Sequence, residues 1–198
     1  MNHVVPGAVL ILSALLLASC PGHDYAGADM AESRRLGDLF ELLGEGTTGD
    51  EERYAVVHKI STTMAEAGDW PLLVDFLSDT VASDPANRFN ARYLLGIAWA
   101  YARQGADEVA ALYYDRIVRN YPDLVVDGAS VHLACLRELL VLVDDPARRL
   151  GYRRELIDRF PDAVDMGTEL FLLGNDYESL GDWDAALELF TKIHDSTG

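Results

Sequence analysis

The sequence predicts an all-α fold, a solenoid of stacked helical pairs, on three observations. Beyond residue 30 no stretch alternates at period two, while apolar residues recur at steps of three and four over most windows. Pro85, Pro122 and Pro161 follow helical runs at intervals of 37 and 39 residues, and proline ends a helix because it lacks an N–H and restricts the residue before it. A second break falls about seventeen residues ahead of each proline, at Gly68-Asp69, Gly105-Ala106 and Asp144-Asp145-Pro146, with a fourth at Gly181-Asp182. Two breaks per period of this length describe helical hairpins that bury their apolar faces on one another.

The chain opens differently. Residues 4–17 are apolar and uncharged and run into Leu17-Ala18-Ser19-Cys20. That stretch is too short for a membrane span and matches the hydrophobic region of a secretory signal. Small residues ahead of a cysteine resemble the lipobox of bacterial lipoproteins. The resemblance implies that residues 1–19 are a signal peptide cleaved before Cys20, and that Cys20 carries a diacylglyceryl thioether and a further acyl chain on its new amino group. Several acyl chains hold a protein on a membrane where one does not. The family usually opens with Lys or Arg; here only the terminal amine and His3 precede Val4. With Cys20 acylated, Cys135 is alone, no intramolecular disulfide forms, and its thiol is expected as a small buried apolar group.

Residues 20–30 read as the lipidated cysteine and a tether, since "PGHDYAGADM" is glycine-rich, polar and aperiodic. Residues 31–198 read as the helical domain. Its first element is a single helix, "AESRRLGDLFELLG", and "GEGTTGD" follows as a loop. Glycines 44, 46 and 49 lack the Gly-Lys-Ser/Thr of a phosphate loop; Thr48 and Glu51 instead have capping-box spacing for the next helix. Four helical pairs are then expected at about 54–86, 91–123, 126–162 and 167–198. Within a pair, glycine ends the first helix in the left-handed conformation, and Asp caps the second or Pro enters its first turn. Gly-Asp-Trp at 68–70 and 181–183 is such a turn, with each ring expected to pack as the second helix leaves.

The second pair reads Leu94, Ile97, Ala98, Tyr101, Gly105, Ala110, Tyr114, Ile117 and Pro122. The last reads Leu170, Leu173, Gly174, Tyr177, Gly181, Ala186, Phe190 and Ile193. Apolar, small and aromatic residues at these steps resemble the tetratricopeptide repeat, which implies a right-handed α-α superhelix of about nine helices. The first pair keeps the spacing through Val57, Ile60, Ser61, Met64, Gly68, Leu73, Leu77, Thr80 and Pro85, with Leu73 where a small residue is usual. The third keeps Leu133, Leu136, Leu140 and Pro161 but has Arg137 at the first small site.

Net charge is −17, so the surface repels phosphate backbones, and nucleic acid is not an expected partner. No HExxH, GxSxG or CxxC occurs, and His58, His132 and His194 fall in different repeats. His132 and Cys135 lie three apart but lack the third ligand of a zinc site. The expectation is a non-enzyme with no cofactor and no metal. What remains is recognition. By resemblance, the first helix of each pair lines a concave groove, through Arg92, Leu95, Trp99, Ala102 and Arg103 in the second repeat. The matching positions are His58 and Thr62 in the first, Cys135 and Glu138 in the third, and Phe171, Asn175 and Glu178 in the last. Trp and Arg are enriched at binding hot spots, and two readings of Trp99 stay open: contact with a partner, or packing on a neighbouring helix.

The chain therefore reads as a lipid-anchored, periplasm-facing protein of the bacterial envelope that holds a protein or peptide partner. Pro21, in place of the Asp that retains some lipoproteins inside, leans it to the outer membrane. The alternative is an accessory lipoprotein that passes a small solute to a transporter, with a cavity lined by Trp99, Arg92 and Arg103.

Overall fold

The computed structural model describes residues 29–44, 49–126 and 128–197. Among the described residues it holds nine α-helices: α1 (Asp29–Gly44), α2 (Asp50–Ala67), α3 (Trp70–Ser83), α4 (Asn90–Arg103), α5 (Asp107–Asn120), α6 (Val131–Leu142), α7 (Pro146–Arg159), α8 (Met166–Ser179) and α9 (Trp183–Thr197). A two-strand hairpin, β1 (Val125–Val126) and β2 (Ala129–Ser130), precedes α6, and a 3-10 turn at Pro161–Ala163 follows α7. The chain forms two compact units that divide between Tyr113 and Tyr114. In the first, α1 packs on α2, α2 on α3 and α3 on α4; in the second, α6 packs on α7, α7 on α8 and α8 on α9. The fold is all-α, in consecutive helical pairs.

Three of the four turns between paired helices share one geometry. Gly68, Gly105 and Gly181 have φ of 73°, 72° and 77°, a region glycine enters without a Cβ penalty. At each, the glycine N–H and the N–H after it reach back to carbonyls of the last helical turn, as Gly68 does to Ala65 and Asp69 to Met64, both at 3.1 Å. This Schellman arrangement satisfies carbonyls the helix end would leave without partners. Asp69 then caps α3 by accepting from the Leu72 N–H, and Asp182 accepts from the Ala185 N–H. The turn between α6 and α7 uses Asp145, which accepts from the Ala147 N–H, with Pro146 in the first turn. Helices end at Ser83, Asn120 and Arg159, just ahead of the three repeat prolines.

The first unit's core joins Val57, Ile60 and Met64 of α2 to Leu73 and Leu77 of α3 and Leu94, Ile97 and Ala98 of α4, all buried. Each large aliphatic side chain so placed contributes about 1.5–3 kcal/mol. Stacking of Tyr101 on Tyr113, with centroids 5.6 Å apart, joins α4 to α5. In the second unit, glycine permits close approach: a Cβ on Gly174 of α8 would stand 2.4 Å from Cε1 of Phe190 on α9. Between α7 and α8 lies a buried ion-pair cluster. Arg153 reaches Asp176 at 3.0 Å and Glu169 at 2.6 Å, and Arg149 also reaches Asp176 at 3.0 Å.

Several expectations need correction. The β-branched pair Val125-Val126 meets Ala129-Ser130 antiparallel around Gly128, whose φ is 80°, where only helix and loop were expected. The N-cap of α2 is Gly49, and Thr48 lies outside the described residues. Glu51, the other half of the expected capping box, pairs with Arg88 at 2.6 Å. Asp29 and Met30, assigned to the tether, begin α1, and the rest of the tether with the signal segment lies outside the described residues. In α6 the fully buried face carries Val131, Cys135, Leu136 and Leu139 rather than the trio Leu133, Leu136 and Leu140. Arg137, at the first small site of this repeat, donates from its guanidinium to the Ala163 carbonyl at 2.7 Å. Trp183 is 62% exposed, so only Trp70 of the two turn tryptophans packs.

Candidate functional site: an aromatic crevice between α2 and α4

In the first unit one stripe of α2 faces one stripe of α4 across the floor made by α3. Tyr54, His58, Ser61, Thr62 and Ala65 recur at helical spacing along α2, and Arg92, Tyr93, Gly96 and Trp99 do so along α4. Leu73 and Leu77 form the floor, and the enclosed space is about 40 Å³. Gly96 keeps the floor close, since a Cβ there would stand 2.8 Å from Cδ1 of Leu77.

Aromatic contacts hold the walls. Tyr54 stacks on Phe89 at 4.4 Å and lies parallel to the His58 ring at 5.7 Å. Arg92 places its guanidinium 4.9 Å from the Tyr54 centroid and 5.7 Å from that of Phe89, a cation–π arrangement at one end of the crevice. At the other end Trp70 meets Trp99 edge-on at 5.0 Å, and Arg103 lies 5.6 Å from the Trp70 centroid. Burial, with the neighbouring Tyr54 adding to it, pushes the Tyr93 phenol up to about 12.

The polar atoms of the lining are unevenly satisfied. Ser61 Oγ donates to the Val57 carbonyl at 2.7 Å, and Thr62 Oγ1 donates to the His58 carbonyl at 2.9 Å. Each hydroxyl hydrogen is thereby committed, while the oxygen keeps acceptor capacity. Trp99 Nε1 and Tyr93 Oη are buried and have no hydrogen-bond partner among the described residues.

Of the expected groove residues, His58, Thr62, Arg92 and Trp99 come together in this crevice, whereas Arg103 sits beyond it over Trp70. Trp99 packs on the neighbouring Trp70 ring and also lines the crevice. Leu95 and Cys135 are buried. Glu138 is only 8% exposed, next to Cys135 and Tyr114, with its carboxyl pKa raised by burial, and so it does not line an open face. Phe171, 51% exposed and 5.7 Å from Phe190, shares the α8 surface with Asn175 and Glu178. Cys20 lies outside the described residues. Tyr54 and Tyr93 escaped the sequence reading, although Tyr54 precedes His58 by one helical turn and Tyr93 adjoins Arg92.

His132 and Cys135 are both buried, and His132 Nε2 pairs with Glu155 at 2.8 Å. Among the described residues no three His, Cys, Asp or Glu side chains are grouped to hold a metal ion. No curated protein matches the chain. Residues 92–124, which carry Arg92 and Trp99 and most of the α4–α5 pair, match a family of known fold: this segment is a tetratricopeptide repeat.

Proposed function

We propose that this protein is a non-catalytic scaffold that holds a protein or peptide segment in the α2–α4 crevice and is anchored to the bacterial envelope through acylated Cys20. One observation carries the binding half. His58, Thr62, Arg92 and Trp99, picked out by repeat position alone, line a single crevice beside a segment that matches a repeat typical of interaction scaffolds. Trp and Arg supply large contact area and charge to such sites. In a chain of net charge −17, Arg92 and Arg103 also give this face a local positive charge.

The anchoring half rests on Leu17-Ala18-Ser19-Cys20. Among the described residues no helix is long and apolar enough to cross a membrane; this reading gives the attachment to the acyl chains on Cys20. The chain faces the periplasm in this reading, on the outer rather than the inner membrane.

Crosslinking and capture from native envelopes, with wild type beside Trp99→Ala, tests the scaffold. The expected result is a stoichiometric protein held by wild type and lost in the variant; a defined small molecule retained in its place would move the function to solute transfer. Palmitate labelling and fractionation of Cys20→Ser test the anchor independently. The variant is expected to lose label and leave the membrane, and its retention there would remove the lipid anchor from the reading.

A further inference from the structure

The chain carries one helix face twice, and among the described residues only the first version is covered. Gly181-Asp182-Trp183 repeats Gly68-Asp69-Trp70, and in that register Leu187 of α9 answers to Val74 of α3 and Phe190 to Leu77. On α3, Trp70, Val74 and Leu77 share one face at helical spacing, and α4 packs on it. Trp99 meets Trp70 edge-on at 5.0 Å, and Arg103 lies 5.6 Å from the Trp70 centroid. Gly96 admits Leu77 so closely that a Cβ there would stand 2.8 Å from Cδ1. Under that cover Val74 is 7% exposed and Leu77 2%. On α9, Trp183 is 62% exposed and Leu187 65%. Phe190 lies against Gly174 of its own pair, so the open part of the face is Trp183 and Leu187, one helical turn apart. Exposed apolar residues scattered singly are ordinary; an adjacent Trp and Leu on the face that the other version buries make a seat for a helix.

We propose that the Trp183–Leu187 face of α9 docks an amphipathic helix of a partner protein, built as α4 is built. That helix carries a small residue, an aromatic three positions on and an arginine four beyond it, the spacing of Gly96, Trp99 and Arg103. The small residue lets the two backbones approach, the aromatic ring meets Trp183 by its edge, and the guanidinium lies over the indole face. Charge favours such an arginine more here than in the α3–α4 pair: Asp184 and Glu188 are exposed beside the stripe, and Asp184 stands where α3 has the neutral Pro71. A basic edge on the incoming helix complements these carboxylates. The same charges disfavour the other occupants, since a second copy brings its own −17 and an anionic membrane repels the acidic edge. The proposal does not rest on the α2–α4 crevice, which lies in the first unit.

The chain's own α4 serves as the probe: a blocked peptide of residues 90–103 with a hydrocarbon staple joining positions 94 and 98, away from Gly96, Trp99 and Arg103. In the folded chain α3 is already covered, which leaves α9 to receive it. The chain has three tryptophans, so the ¹⁵N-labelled full chain gives three indole signals, with Trp183 assigned through Trp183→Phe. The peptide is expected to shift the Trp183 signal and to bind one to one by calorimetry. Trp183→Ala and Leu187→Asp, both at exposed positions and so expected to keep the wild-type thermal midpoint, should each weaken binding about tenfold or more. Arg103→Glu in the peptide should do the same. No binding, or binding that Leu187→Asp leaves unchanged, overturns the proposal. Self-association of the full chain in sedimentation, lost in Leu187→Asp, overturns it in favour of a second copy. A Trp183 shift produced by phosphatidylglycerol vesicles and not by the peptide overturns it in favour of a membrane.

Discussion

Gly174 has no room for a methyl group. The Phe190 ring would stand within 3.1 Å of an added Cβ at three of its atoms. Gly174→Ala gains about 1 kcal/mol in helix propensity and loses about 1–3 kcal/mol to overpacking, so a net loss of stability is expected in urea titration. Gly96→Ala is expected to cost less, since its clash is with the flexible end of Leu77. Glu138 carries a pH-dependent cost. Burial raises its folded pKa above the ordinary 4.5, so from that pH upward the unfolded chain has released a proton that the folded chain still holds. Stability then falls with rising pH through that window, up to the folded pKa. Glu138→Gln is expected to be more stable than wild type at pH 7, with the gap closing below the unfolded pKa; equal denaturation midpoints at both pH values would contradict this.

At the scale of elements, the turns depend on local chemistry and the helix pairings on distant chemistry. Gly181→Ala forces a Cβ into left-handed backbone and is expected to cost about 1–2 kcal/mol, while Asp69→Ala removes a cap worth about 1 kcal/mol. Asp176→Ala leaves Arg149 and Arg153 without their shared carboxylate between α7 and α8. Breaking a buried pair from one side costs about 3–5 kcal/mol, so its thermal midpoint should fall furthest of the variants named here. This contrast explains what the sequence made legible. Gly68, Gly105 and Gly181 declare their turns because only neighbouring residues decide them. Arg153 and Asp176 lie 23 positions apart, and nothing in either residue names the other. In α6 two apolar stripes were both compatible with helical period, and the carbonyl that Arg137 meets lies 26 residues on. For the crevice, repeat position picked out His58, Thr62, Arg92 and Trp99. It missed Tyr54 and Tyr93 because an aromatic beside a repeat position reads as ordinary core.

Across the whole molecule, 33 acidic side chains against 16 basic ones set the response to salt. Self-repulsion among exposed carboxylates opposes folding, and salt shortens its range from about 30 Å at 0.01 M to about 8 Å at 0.15 M. The thermal midpoint is therefore expected to rise across that interval; a fall would mean that exposed ion pairs such as Arg88–Glu51 outweigh the repulsion. The molecule also contains its own clock. Cys135 is fully buried, and its thiol is pushed far above the ordinary range by burial and by the nearby Glu138. A maleimide or an alkylating agent meets a thiolate there only when the second unit opens. In Cys20→Ser, where it is the one remaining cysteine, the rate of alkylation counts those openings.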